Sequence, residues 1–148
     1  MTFETFQQQV AQAQARNAWQ FEEQRDAPLS LERIRDFELQ HGVELPDAYR
    51  QFLMRYGAGD FAFTAIYSPD PSSDWSLWRQ LEQFLGARRD FVPFAENGCG
   101  DYYGFPVASG SCEDRVVWAD HEQAYSISET PYGGFIDFLV TEGLRTGA

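Results

Sequence analysis

The stretch from Phe91 to Phe105 constrains the fold more than any other part of the chain. Phe91-Val92-Pro93-Phe94-Ala95 has the apolar composition of a strand. Asn97, Gly98 and Gly100 tolerate the positive φ of a tight turn, and Asp101-Tyr102-Tyr103 opens a second strand. This reads as a hairpin. The later run Arg115-Val116-Val117-Trp118-Ala119-Asp120-His121-Glu122, apolar in its middle and acidic at its end, supplies a third strand at a separation suited to an antiparallel meander.

Helices are expected on either side of this sheet. Thr2 caps a helical stretch over residues 2–24, with Phe3, Phe6, Val10 and Ala13 on one face and glutamines on the other. Asp26-Ala27-Pro28 breaks it. Ser30 caps a second helix from Leu31 to Gln40 that buries Leu31, Ile34 and Phe37 and stops at Gly42. A third has Pro46 in its first turn, Tyr49, Phe52, Leu53 and Tyr56 on one face, and Gly57 as its stop. Residues 60–67 alternate Phe61, Phe63, Ala65 and Tyr67 against smaller residues, the period of one half-buried strand. Asp74 then caps a helix carrying Trp75, Trp78, Leu81, Phe84 and Leu85, and Ser128 or Thr130 caps a last helix with Pro131 in its first turn and Phe135, Phe138 and Leu139 buried. Helices, then strands, then a helix predict an α+β fold, a single domain over residues 1–148 with residues 1–28 as an N-terminal helical extension.

Composition narrows the classes. With 148 residues, 43% of them hydrophobic, the chain can bury roughly 68–70% of its unfolded surface without disulfides or metals. The opening residues lack a basic start followed by an apolar run, and nothing approaches the ~18 apolar residues of a membrane span, so a cytoplasmic protein is expected. The 23 acids face 11 bases, all arginine, for a net charge of −12; from Asp90 onward ten acids face two arginines. Such a balance disfavours nucleic acid or an anionic membrane as partner and favours a basic one, although acidity also serves solubility alone.

Few residues match a catalytic pattern. Cys99 and Cys112 have no CxxC spacing and read as free thiols; with His41 and His121 they match no known zinc pattern, so neither a metal site nor a cofactor is expected. Glu96, Asp101, Asp120 and Glu122 on neighbouring strand ends could serve an acidic metal-dependent hydrolase, but no HExxH, DxDxD or phosphate-binding glycine loop accompanies them. Asp101 directly after Gly100 could instead bond its own turn, Trp118 reads as core, and His121 as a hydrogen-bonded edge histidine.

Four segments, in order, resemble the SUKH superfamily (Smi/Knr-like domains). They are Phe37-Glu38 with Leu45-Pro46-Asp47-Ala48-Tyr49-Arg50-Gln51-Phe52-Leu53 and Tyr56-Gly57-Ala58-Gly59; Phe94 to Phe105; Val117 to Glu122; and Phe135-Ile136-Asp137-Phe138-Leu139. They span about residues 31–144. The resemblance implies a twisted antiparallel sheet flanked by helices, and a non-enzymatic protein. The family includes bacterial immunity proteins that neutralise a cognate polymorphic toxin, often a nuclease, and fungal cell-wall regulators that act as scaffolds. It carries no shared catalytic residues, and the Trp75/Trp78 segment matches none of its motifs. On the immunity reading the partner is a basic toxin domain met by a monomer or weak dimer. Glu96, Asp101, Asp120 and Glu122 are then candidate contacts and Tyr102 and Tyr103 candidate anchors, of which only one can share the exposed sheet face.

Overall fold

The structure, a computed structural model, describes residues 1–21, 24–86 and 88–145, apart from the side chains of Phe84 and Leu85. Helix α1 (Phe3–Arg16) is capped by Thr2, whose hydroxyl accepts from the Thr5 N–H, and it buries Phe6, Val10 and Ala13. It is shorter than the expected 2–24. The Asn17 N–H closes on the Ala13 carbonyl and the chain turns through a 3₁₀ segment, Ala18–Phe21, that swings Phe21 edge-on to Phe61 and leaves Trp19 63% exposed. Residues 22 and 23 of the expected helix lie outside the described residues.

Helix α2 (Leu31–His41) starts at Ser30 and ends on left-handed Gly42, as its sequence signals require. Ile34 and Phe37 are buried, but Leu31, at the first helical position, is 44% exposed, a correction to the expected stripe. Helix α3 (Asp47–Arg55) has Pro46 as its cap residue and buries Tyr49, Phe52 and Leu53.

Residues 59–66 form not one strand but a hairpin, β1 (Gly59–Phe61) and β2 (Thr64–Ile66), registered Phe61 against Thr64. The reversal needs Ala62 at φ 51° and is held by the Phe63 N–H donating to the Gly143 carbonyl, 3.1 Å; Phe63 at the tip is 42% exposed rather than buried. Helix α4 (Leu77–Gln80), which continues as a π-helical turn Leu81–Leu85, begins after Ser76 instead of after Asp74. The Ser73 hydroxyl accepts from the Trp75 N–H and the Asp70 carboxylate from the Ser72 N–H, so side chains hold 70–75 in turns and delay the helix.

The main sheet is antiparallel, ordered β3 (Phe91–Glu96), β4 (Tyr102–Ala108), β6 (Val117–Asp120) and β7 (Ser126–Glu129), with β5 (Ser111–Cys112) pairing the far end of β4. The expected meander is therefore present, but Ser128 lies in β7 and caps no helix. The Thr130 hydroxyl donates to the Val116 carbonyl, and the last helix, α5 (Phe135–Phe138) with its π-helical continuation Leu139–Leu144, begins after Gly134, where the Asp114 carboxylate accepts the Phe135 N–H. Trp118 is a further correction: Val117 and Ala119 point into the core, while Trp118, opposite Tyr103, is half-buried and outside the core. The chain is an α+β protein, and no helix among the described residues is long and apolar enough to cross a membrane.

Aromatic rings fill the space between sheet and helices. Phe94 sits 4.7 Å from Phe105, 5.1 Å from Phe135 and 5.0 Å from Phe138, the last two edge-on, and Tyr49 and Phe52 close the cluster from α3. Phe94 occupies a β-bulge, the one residue of β3 without a partner between Pro93↔Gly104 and Ala95↔Tyr103. At Gly104 the strands leave no room for a side chain, because a Cβ would collide with the Val92 carbonyl oxygen and the Phe91 ring. Gly104→Ala is expected to cost about 3 kcal/mol or more in urea denaturation. Gly42→Ala, with open space around it and only a left-handed backbone to strain, should cost about 1 kcal/mol.

Candidate functional site

The strand register places one end of β3, β4 and β6 side by side. Glu96 pairs with Tyr102, Tyr102 with Ala119, and Asp120 with Ser126, so the last carboxylates of β3 and β6 flank the start of β4. The β3–β4 turn at this end is built by Asn97, whose side-chain oxygen accepts the N–H groups of Cys99 (2.8 Å) and Asp101 (3.2 Å). Gly98 and Gly100 supply the positive φ that the sequence suggests. Asp120 caps the short 3₁₀ turn His121–Gln123 by accepting the Glu122 N–H at 2.9 Å.

The Asp101 carboxylate does not bond its own turn backbone. Its Oδ1 accepts the His121 N–H at 2.9 Å and contacts His121 Nδ1 at 2.6 Å, while its Oδ2 accepts from the Asn97 side-chain amide at 2.8 Å. With 8% of its surface exposed, it is a clamp between two loops twenty residues apart. The His121 backbone N–H, its ring and the Asn97 amide hold the Asp101 carboxyl below the usual range, and Asp101 raises the His121 imidazole above its ordinary value. Asp101, Asp120 and His121 also offer ligand atoms within 4.8 Å of one another, but both Asp101 oxygens and His121 Nδ1 are already engaged; neither cysteine nor His41 joins the group. Cys99 is exposed in the turn and Cys112 is buried, its thiol pushed up to about 12 by burial.

The other expected site residues separate by exposure. Glu96 and Glu122 are exposed and Asp120 partly so. Tyr102 is 4% exposed, its hydroxyl donating to the Gln80 side chain, and Tyr103 is half-buried, its ring 5.0 Å from Phe138. Alternation along β4 sends the two rings to opposite faces, and both faces are covered. Glu96 accepts from the Tyr67 hydroxyl at 2.9 Å and lies on an open groove of about 620 Å³ that also includes Asp60, Phe63, Tyr67 and Trp75. Asp60, Phe63 and Trp75 come to this groove through the fold, and no sequence pattern announces them as site residues.

The described residues thus place Glu96, Asp120 and Glu122 at one end of the sheet, where solvent reaches them, with Tyr102 and Tyr103 covered on either face. Residues 31–139 match the family model SUKH_6, described as SMI1-KNR4 cell-wall. The chain belongs to this family, as the four ordered motifs imply. No curated protein matches it.

The Asp101–His121 clamp gives stability a defined pH window. A carboxyl depressed in the fold stabilises above its unfolded value of about 3.9 and loses that effect as pH falls through the folded value. A histidine raised in the fold stabilises below about 6.5 and loses the effect as pH rises through the folded value. The melting-temperature gap between the wild type and Asp101→Asn should therefore be widest near about pH 5 and narrow by at least roughly half at about pH 2.5 and about pH 9. A gap independent of pH would contradict the pairing.

Proposed function

We propose that this chain is a bacterial immunity protein that binds and neutralises a cognate toxin domain of basic, nuclease type, acting in the cytoplasm as a single non-enzymatic domain. The observation that supports it is the juxtaposition at one sheet end of Glu96, held by the Tyr67 hydroxyl, the partly exposed Asp120, held by the Glu122 N–H, and the exposed Glu122, on a turn clamped by Asp101 and His121. Carboxylates placed in this way meet Arg and Lys side chains where a nucleic-acid enzyme would hold phosphates, and by occupying that cleft they exclude its substrate. In this reading Asp101 acts by positioning His121 and the turn, and Tyr102 and Tyr103 by supporting the strand; Trp75 and Phe63, beside Glu96, take the anchor role. The family description also supports a second reading, a scaffold in cell-wall regulation.

The test begins with the gene neighbouring this one. A toxin domain encoded immediately upstream, expressed as a catalytically dead variant, should bind the purified chain one to one, and its association rate should fall about tenfold or more from about 50 mM to about 500 mM salt. Asp120→Asn with Glu122→Gln should reduce the association rate by about threefold to tenfold and flatten that salt dependence, leaving dissociation less affected. Association that ignores salt would overturn the electrostatic reading, and envelope-synthesis proteins as the sole stoichiometric partners would favour the scaffold.

A further inference from the structure

A second concavity lies at the opposite end of β3 from Glu96. It is a cavity of about 490 Å³ between the C-terminal end of α2, helix α4 and the start of β3, walled by Phe37, His41, Trp78, Leu81 and Phe91. That volume is within the range of small-molecule sites. The wall is preformed: the Trp78 indole N–H donates to the Pro69 carbonyl at 3.2 Å, and Phe37 lies 5.1 Å from the Trp78 ring and 5.0 Å from the His41 ring.

Two polar features converge on this apolar wall. His41 Nε2 is shielded from solvent and has no hydrogen-bond partner among the described residues. Its ring packs against those of Phe37 (5.0 Å) and Trp78 (3.4 Å), so His41 is part of the wall. Arg88 and Arg89 stand at the mouth, and they differ. Arg88 is spent, bidentate on Asp90 at 2.7 and 2.9 Å and donating to the Tyr125 carbonyl at 2.7 Å. Arg89 makes no ion pair among the described residues. It is close enough that its charge, after burial, helps to hold His41 below its ordinary pKa, so the imidazole is neutral near pH 7. A guanidinium with no ion pair among the described residues, on the rim of an aromatic-walled cavity, suits an anion on a flat apolar body, and Glu82 on the same rim disfavours further negative charge.

From this geometry we infer that the cavity binds a small aromatic monocarboxylate, with the ring against Trp78, Leu81 and Phe91 and the carboxylate on Arg89. The inference does not depend on the toxin-binding reading, since it uses none of the same residues. It absorbs Trp78, which the family motifs leave without a role.

The probe is 2-naphthoate, titrated into the full chain by calorimetry, with 2-naphthylmethanol as its neutral isostere. The expected result is saturable binding of one equivalent, about tenfold weaker for the alcohol and about tenfold weaker in Arg89→Gln, a surface change that leaves the fold in place. Glu82→Gln should bind more tightly, because a like charge leaves the rim. In ¹H–¹⁵N spectra the Trp78 indole resonance, assigned by its loss in Trp78→Phe, should move while those of Trp19 and Trp118 stay. No saturable binding at millimolar probe, equal binding of the alcohol, indifference to Arg89→Gln, or shifts confined to other tryptophans would each overturn the site.

Discussion

The unpaired Phe94 in β3 is the constraint on which the remaining structure turns. One extra residue in a strand moves every later side chain to the other face. Here the bulge sends the Phe94 ring into the cluster formed by Phe105, Phe135 and Phe138, and its carbonyl oxygen accepts the Tyr67 N–H at 2.8 Å. That bond joins the small β1–β2 hairpin to the main sheet. The fully buried Tyr49 hydroxyl then donates to the Tyr67 carbonyl at 2.5 Å, which brings α3 to the same point, and the Tyr67 hydroxyl reaches Glu96. A single irregularity thus ties helix, hairpin and sheet together and sets the direction of the carboxylate that ends β3.

The net charge of −12 overstates how much acid this molecule has to offer a partner. Many carboxylates are committed to the fold. Glu38 accepts the Leu45 N–H at 2.7 Å and pairs with Arg50; Asp26 accepts the Ser73 hydroxyl at 2.5 Å; Asp114 caps the last helix; Glu113 and Glu129 hold Arg115. Asp101 belongs with them. The absence of lysine fits this use, since a planar guanidinium can satisfy two carboxylates at once while an ammonium is a point charge. What distinguishes Glu96, Asp120 and Glu122 is position: strand ends and a capped turn, where backbone geometry fixes the side chain and solvent still reaches it.

These distinctions mark where the sequence is readable. The helices α2 and α3 carry both start and stop signals, and the β3–β4 hairpin carries its turn residues, so all three are legible. Strand β7 is not, because Ser126-Ile127-Ser128-Glu129 has little apolar alternation and owes its conformation to pairing with β6. The β1–β2 reversal at Ala62-Phe63 has neither glycine nor asparagine and is fixed by a bond to Gly143, far away in sequence. Trp118 misleads because a strand's period says which residues share a face but not how far the covering helix extends. At the site, the end-of-strand acids follow from alternation, whereas the partnership of Asp101 with His121 spans twenty residues and follows only from register.

Charge is also unevenly placed along β3 itself. Its first residue adjoins Arg88 and Arg89, and its last is Glu96, one of the ten acids against two arginines that follow from Asp90 onward. A short strand paired to β4 keeps these ends apart at about 3.3 Å per residue, so the two charges are held at a separation that side-chain motion cannot erase. Such an arrangement gives the molecule an electrical direction as well as a net charge. On the proposed immunity reading, a basic protein is drawn to the acidic end before any contact forms, which reduces the orientations to be searched in docking.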